Sequence, residues 1–274
     1  MSAASDYAEV AGLRIHRDGD VLQLLLCRPE KRNAIDVVMM EGLVRAFTVA
    51  STDEQLRVIF LEGIGEHFCG GADIVARNRA DEDAPKPRAG SIQRRLPVQA
   101  HELISLVLEV QVPVVCKVRG YAAGIGFALA LAADFTIAEE ESRFWAPFAQ
   151  RGFTPDSAMT WLLPRRVGEV RARELLMLGR DISGADAAAW GAIHAAVPRA
   201  DLDMTVHNFL VEVAAGPTVA TGLTKWLLHA GRDASLEQQL RNEAFALELS
   251  SRSEDFREGM TAMRERRDPR FEGR

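Results

Sequence analysis

Two hydrophobic periods alternate along the first part of this chain. Residues 21–27 form a strand-like apolar run, Val37–Ala50 carries the apolar spacing of a helix, and residues 58–61 are again strand-like. A second cycle follows: residues 96–110 have helical spacing, and Val114–Val118 is a β-branched run set between Pro113 and Gly120. After Gly126 a helix is expected through Ala128, Leu129, Ala130 and Leu131, and because it is apolar on every side it should be buried. Residues 135–138 and Ala195–Val197 read as further short strands, with Ser183 and Asp186 opening a helix between them that stops at Gly191. From Leu202 onward the pattern is helical only, with 222–230, 236–249 and 256–267 as candidates. The expected fold class is α/β, with a core over residues 1–200 and a C-terminal helical region over 201–274. Residues 75–90, charged and carrying Pro85 and Pro87, read as a surface loop placed to cover a site.

Composition narrows the function classes. With 274 residues, 47% hydrophobic and 26% charged, the chain can bury a large core. No apolar run reaches the roughly 18 residues of a spanning helix, and residues 1–20 lack the regions of a signal peptide, so a cytoplasmic protein without a membrane partner is expected. The three cysteines, Cys27, Cys69 and Cys116, are scattered in apolar or glycine-rich sequence and read as buried thiols, not as a disulfide framework or a metal site. A net charge of -6 argues against nucleic acid as a partner. Two local basic clusters, Arg28-Lys31-Arg32 and Arg264-Arg266-Arg267, remain candidates for holding a small polyanion.

The candidate chemistry lies in two glycine-bearing stretches, residues 67–74 (HFCGGADI) and 120–127 (GYAAGIGF), each following a strand-like run. Backbone N–H groups left unpaired at two helix entrances can jointly hold a developing oxyanion. Gly124-Ile125-Gly126 does not continue as a dinucleotide fingerprint, since the third glycine would fall at Leu129. Neither a G-x-S-x-G elbow nor a G-x-x-x-x-G-K-[ST] phosphate loop occurs.

Together with Arg28-Pro29-Glu30-Lys31-Arg32-Asn33-Ala34, the paired stretches resemble the crotonase (enoyl-CoA hydratase/isomerase) superfamily over residues 21–271. The resemblance implies a spiral core of ββα units and a C-terminal helical region used in trimerisation, hence a homotrimer or a dimer of trimers. It implies acyl-CoA thioester substrates, with coenzyme A part of the substrate and no separate cofactor. By position, the oxyanion donors would be the N–H groups of Ala72 and Ile125. Coenzyme A contacts would fall near Lys31, Arg32, Ala34, Gly70, Ala72 and Ile74. Arg266 matches a basic position that reaches the CoA phosphate from a C-terminal helix, although a solvated helix face explains it nearly as well.

The hydratases of the superfamily carry two glutamates, and Ala128 and Phe148 stand at those positions here. Neither side chain transfers a proton. Residues 152–157 (GFTPDS) resemble the turn of the isomerase branch that includes the phenylacetate-pathway ring-opening isomerase, which makes Asp156 the expected acid/base. Phe148, Phe153, Met159 and Trp161 would raise its pKa if they line the pocket. The competing use of Pro-Asp-Ser is a turn or helix N-cap. The branch's two glycines after this turn are replaced by Ala158 and Met159, and Ile125 is bulky for its position; both changes would reshape the acyl pocket. His67 reads as a solvated loop histidine, and Trp145 and Trp161 as core or pocket wall. An isomerase is expected first, with a hydratase of non-standard acid/base or a non-catalytic acyl-CoA-binding protein as alternatives.

Overall fold

The structure, a computed structural model, describes residues 7–73 and 88–274. A hairpin opens the chain: β1 (Leu13–Asp18) turns at Gly19 and pairs antiparallel with β2 (Val21–Leu26). The helix α1 (Val37–Ala50) then packs its buried Met39, Leu43 and Phe47 inward, and the Asp36 carboxylate caps it by accepting from the Met39 N–H at 2.9 Å. Strands β3 (Val58–Gly63) and β4 (Val114–Val118) extend the sheet in parallel. Between them lie a short helix α2 (Ser91–Arg95) and the longer α3 (Ala100–Glu109). The helix expected over 96–110 therefore begins late: Pro97 sits in a separate single turn, Leu96–Val98, and α3 starts only after Gln99.

At Gly120 the chain leaves the first sheet and enters a second one as β5 (Tyr121–Ala123), followed at once by α4 (Ile125–Ala132). A Cβ at Gly120 would collide with the Glu66 carbonyl and the His67 Nδ1, so no side chain fits where the chain changes sheets. All eight residues of α4 are buried, as its apolar circumference predicts. The same unit repeats: β6 (Phe135–Glu139) returns to the first sheet, β7 (Arg143–Trp145) pairs parallel with β5, and α5 (Met159–Val167) and α6 (Glu169–Leu178) follow. The last cycle comprises β8 (Asp181–Ser183), α7 (Gly184–Ala189) and β9 (Ala195–Val197). Ser183 Oγ caps α7 by accepting from the Asp186 N–H at 3.0 Å. The first sheet has the order β1-β2-β3-β4-β6-β9 and the second β5-β7-β8. The core lies between the first sheet and helices α1, α3, α4 and α5.

After Val197 the described chain is helical: α8 (Leu202–Ala214), α9 (Thr218–Ala230), α10 (Leu236–Ser250) and α11 (Glu254–Glu265). Helix α8 closes over the first sheet through Leu202, Val206, Phe60 and Ile137. Buried Lys225 fastens α9 to the core, donating to the Asp134 carboxylate at 2.7 Å and the Val107 carbonyl at 2.9 Å. Helices α10 and α11 leave the large apolar side chains Leu240, Phe245, Leu247, Phe256 and Met263 exposed. Among the described residues no helix is long and apolar enough to cross a membrane.

Candidate active site

The two glycine-bearing stretches lie side by side. Phe68 N–H donates to the Arg119 carbonyl at 2.7 Å, Cys69 N–H to Tyr121 at 2.9 Å, and Ala123 N–H back to Cys69 at 2.9 Å. Beyond this ladder the first stretch turns toward Ile35, whose N–H donates to the Gly71 carbonyl at 2.8 Å and whose carbonyl accepts from Asp73 N–H at 2.9 Å. Bonding of Gly71 and Asp73 to one side leaves the intervening Ala72 N–H pointing the other way, without an acceptor among the described residues. Ala72 is solvent-exposed.

On the second stretch, Gly124 N–H is taken by the Trp145 carbonyl at 2.9 Å, and the first bond of α4 runs from Ala128 N–H to the Gly124 carbonyl at 3.0 Å. The Ile125 N–H precedes that bond and is one of the orphan donors of a helix start. The stretches approach so closely that a Cβ built on Gly124 lies 3.8 Å from the Gly71 Cα, and one on Gly126 lies 2.6 Å from the Cys69 Cβ. Ala72 and Ile125 thus present free N–H groups from two backbone segments in contact, one at the positive end of a buried helix. The Ile125 side chain is only 4% exposed and packs into the core, so its bulk does not line the cavity described below.

Asn33, which sequence reasoning left without a role, holds this arrangement from beneath. Its side chain is fully buried, its Oδ1 accepts from the Arg28 N–H at 2.8 Å, and its Nδ2 donates to the carbonyls of Ile64 (2.9 Å) and His67 (2.6 Å). One amide therefore ties residues 28–34 to the turn that feeds the first glycine stretch. His67 is half-buried, not solvated as expected: its Nδ1 accepts from Tyr121 N–H at 3.3 Å and its ring meets the Tyr121 ring edge-on. Burial, and then the Arg32 charge, hold its pKa below the ordinary value. Of the cysteines, Cys69 and Cys116 are buried and Cys27 is half-buried; burial pushes the Cys69 thiol up to about 12.

Asp156 follows Pro155 in the turn before α5. The N-cap of α5 is Ala158 and carries no side-chain cap bond, so the Asp156 carboxylate is not spent on the helix end. Its Oδ1 accepts from Ser157 Oγ at 2.9 Å, and its side chain reaches an open cavity of about 420 Å³. One wall of that cavity is a face of α3: His101, Ile104, Ser105 and Leu108. The other comes from the turn and first residues of α5, with Asp156, Ala158, Thr160 and Trp161. Trp161 is flanked by the guanidinium groups of Arg165 (4.3 Å) and Arg232 (4.9 Å).

The aromatic lining expected around Asp156 is corrected in part. Of the four side chains, only Trp161 lines the cavity. Phe148 and Phe153 stack edge-on against each other, and Met159 is fully buried in the core. Ala128 and Phe148, at the two glutamate positions, are buried and apolar. Ser157 and Ala158 adopt φ of 52° and 60°, a left-handed geometry that a glycine would occupy without strain.

Ala72 and Ile125 do not line this cavity, but α4, which starts at Ile125, packs against both α3 and α5, the helices that form the cavity walls. The Ile125 N–H and Asp156 are therefore carried by adjoining elements of the core. Lys31, Arg32, Ala34 and Gly70 form a second group: Gly70 N–H donates to the Arg32 carbonyl at 2.7 Å, Ala34 N–H to Lys31 at 3.0 Å, and the Lys31 and Arg32 side chains are exposed. Ile74 lies outside the described residues, as does the expected cover at 75–90 except for Arg88, Ala89 and Gly90. Arg266 is not gathered with this group. It is the exposed, left-handed C-cap of α11, on a terminal segment that docks instead through the Phe271 carbonyl, which accepts from Arg57 at 3.0 Å.

Known proteins share this fold. The chain is 34% identical over 259 residues to the 1,2-epoxyphenylacetyl-CoA isomerase of Escherichia coli (strain K12), covering 94% of this chain and 97% of that protein. It is 32% identical to the carnitinyl-CoA dehydratase of Proteus mirabilis (strain HI4320), covering 96% and 98%. The crystal structure of an enoyl-CoA hydratase from Bacillus anthracis superposes with a TM-score of 0.87 at 27% identity, covering 96% of this chain and all of that one. The family model for enoyl-CoA hydratase/isomerase matches residues 16–274. With the ββα repeats, the paired glycine stretches and this match over nearly its whole length, the chain belongs to the enoyl-CoA hydratase/isomerase family, the crotonase family of acyl-CoA-processing enzymes.

Proposed function

We infer that the protein is an enoyl-CoA isomerase that moves a double bond through a thioester enolate, with Asp156 carrying the proton. The observation that carries this reading is Asp156 itself: a carboxylate free of capping duty on a cavity wall, while both glutamate positions of the hydratases are apolar. In the step proposed, the ionised carboxylate removes a proton beside the conjugated system, the electron pair moves onto the thioester oxygen, and the Ala72 and Ile125 N–H groups hold that charge. The carboxylic acid then returns the proton two carbons away, so the double bond shifts with no net gain or loss of atoms or electrons. Each oxyanion donor is worth about 3–4 kcal/mol in the transition state. Lys31, Arg32, Ala34, Gly70 and Ile74 would hold the CoA portion, with Arg266 reaching the phosphate by its bidentate fork. The proton transfer is redox-neutral and calls for no cofactor beyond the CoA of the substrate. The exposed apolar faces of α10 and α11 support assembly as a homotrimer or a dimer of trimers, and a monomer in light scattering would refute that part.

A hydratase reading keeps one specific support, since His101 lines the same cavity as Asp156 and offers a second proton-transfer group. Product analysis with a trans-2-enoyl-CoA separates the two: a shifted double bond supports isomerisation, and a 3-hydroxyacyl-CoA supports hydration. Asp156→Asn should retain CoA-ester binding and lose turnover. Unchanged turnover in that variant refutes Asp156 as the proton carrier, and tight binding without turnover by the unmodified protein across a panel of acyl-CoAs refutes catalysis altogether.

A further inference from the structure

The ladder between the two glycine stretches breaks at one rung, and a side chain fills the gap. Cys69 N–H donates to the Tyr121 carbonyl and Ala123 N–H to the Cys69 carbonyl, both at 2.9 Å, as parallel segments do. One step further back, this pattern would send the Tyr121 N–H to the His67 carbonyl. That carbonyl is turned the other way and accepts from Asn33 Nδ2 at 2.6 Å. The His67 imidazole takes its place: Nδ1 accepts the Tyr121 N–H at 3.3 Å, with the two rings edge-on. His67 is therefore held by Asn33 through its backbone and grips the start of β5 with its side chain. The preceding N–H is fixed in the same manner, since buried Glu139 on β6 accepts from Gly120 N–H with Oε2 at 3.3 Å, its charge met by Arg119 Nε at 2.9 Å. Two side-chain acceptors thus hold successive peptides where the chain changes sheets, and β5 is only three residues long before Gly124 and the Ile125 helix start.

We propose that His67 is a positioning residue of the oxyanion site, its neutral imidazole keeping the second glycine stretch in register with the first so that the Ala72 and Ile125 N–H groups meet one oxygen. The inference rests on the oxyanion reading above. The bond requires the proton on Nε2, because a protonated Nδ1 would face the Tyr121 N–H donor to donor. The charged and titratable groups around the ring are Tyr121 on β5, Arg32 over the Tyr121 ring, Glu66 in the same turn and Glu139 on β6. Both carboxylates are already engaged, Glu66 by Arg199 and Glu139 by Arg119 and Arg199. Burial, with the Arg32 charge next, outweighs their pull and keeps the imidazole neutral to below the ordinary 6.5. The grip on Tyr121 is therefore complete at neutral pH and is lost as the pH falls through the His67 pKa.

The test reads the polarisation of a bound thioester, independently of turnover. 4-Dimethylaminocinnamoyl-CoA carries a push–pull chromophore whose absorption moves to the red when hydrogen bonds draw charge onto the thioester oxygen. With the full-length protein in excess at neutral pH, the ester should show that shift. His67→Leu, which fills the space without an acceptor, should keep about half of the shift or less while binding the ester within about tenfold of the unmodified protein. His67→Asn, whose Oδ1 accepts near the place of Nδ1 and does not titrate, should restore it. From about pH 7.5 down to about 4.5 the shift should diminish in the unmodified protein and hold in His67→Asn, a comparison that does not need the leucine variant to fold. A full shift in His67→Leu, or a shift that follows pH alike in the unmodified protein and in His67→Asn, overturns the inference and leaves the oxyanion reading intact. An ester that binds the unmodified protein without a red shift overturns the oxyanion reading and this inference with it, and failure to bind at all overturns the acyl-CoA reading beneath both.

Discussion

Replacing Asn33 tests the pin beneath the turn that leads into the first glycine stretch, and its size can be worked from the structure. The Asn33 amide makes three hydrogen bonds inside the fold, to the Arg28 N–H and to the carbonyls of Ile64 and His67, at 2.8, 2.9 and 2.6 Å. Each contributes about 1 kcal/mol net, and their partners sit where water cannot easily replace the amide. Asn33 also holds a φ of 54°, which asparagine tolerates and alanine pays about 1 kcal/mol to adopt. Asn33→Ala should therefore destabilise the protein by about 4 kcal/mol, and Asn33→Gly by about 0.5–1 kcal/mol less, because glycine avoids the left-handed strain. Asn33→Asp, nearly the same shape, keeps the acceptor but turns the donor into a second acceptor facing two carbonyl oxygens. It should cost about as much as alanine. Urea unfolding followed by fluorescence gives these differences from the shift in midpoint at constant slope. An Asn33→Asp variant within about 1 kcal/mol of the unmodified protein would refute the hydrogen-bond account, and a glycine variant less stable than the alanine one would refute the backbone account.

The remaining expectations concern the helix start, the Asp156 turn and the acid limb of stability. Gly126→Ala places a Cβ 2.6 Å from the Cys69 Cβ and should displace the Ile125 N–H, lowering kcat about 100-fold with a smaller change in KM; steady-state kinetics showing kcat within about threefold would count against Ile125 as a donor. Ala158→Gly relieves a φ of 60° and should raise stability by about 0.5 kcal/mol in the same urea assay, where a loss of stability would show that the alanine methyl matters more as a cavity wall. His229 is held at a pKa of about 4 by burial and, next, by the Arg232 and Lys225 charges. Between that value and the ordinary 6.5 the unfolded chain binds the extra proton, so stability rises with pH across this window and falls on acidification. His229→Gln should flatten that slope by up to about 1.4 kcal/mol per pH unit, and melting curves at pH 4.5 and 6.5 that shift equally in both proteins would contradict it.

Much of the fold was legible because local periodicity carries it. Val37–Ala50, Val114–Val118 and the all-apolar helix after Gly126 appear as expected, since each is long or uniform enough for its own residues to impose a period. Strands β5, β7 and β8, three residues each, were not legible, being too short to show an alternation and stabilised mainly by one another. The strand β1 escaped too, because its alternation becomes informative only beside β2. On the lining of Asp156 the reading went astray for a related reason: helical position alone does not say that Phe148 turns to Phe153 and Met159 to the core.

The sequence by itself determined where glycine-rich backbone stretches lie and that apolar residues, Ala128 and Phe148, stand at the two positions matched to the hydratase glutamates. These are properties of residue type and order. Only the tertiary structure decided which N–H groups remain unpaired, because that depends on Ile35 and Trp145, remote in sequence, taking up the neighbouring peptide groups. It likewise brought His101 and Asp156 to one cavity, although no local period links a residue on α3 to a turn before α5. Backbone donors and a carboxylate are written into the chain one at a time, but a site requires them on adjoining surfaces, and the packing of α4 between α3 and α5 supplies that.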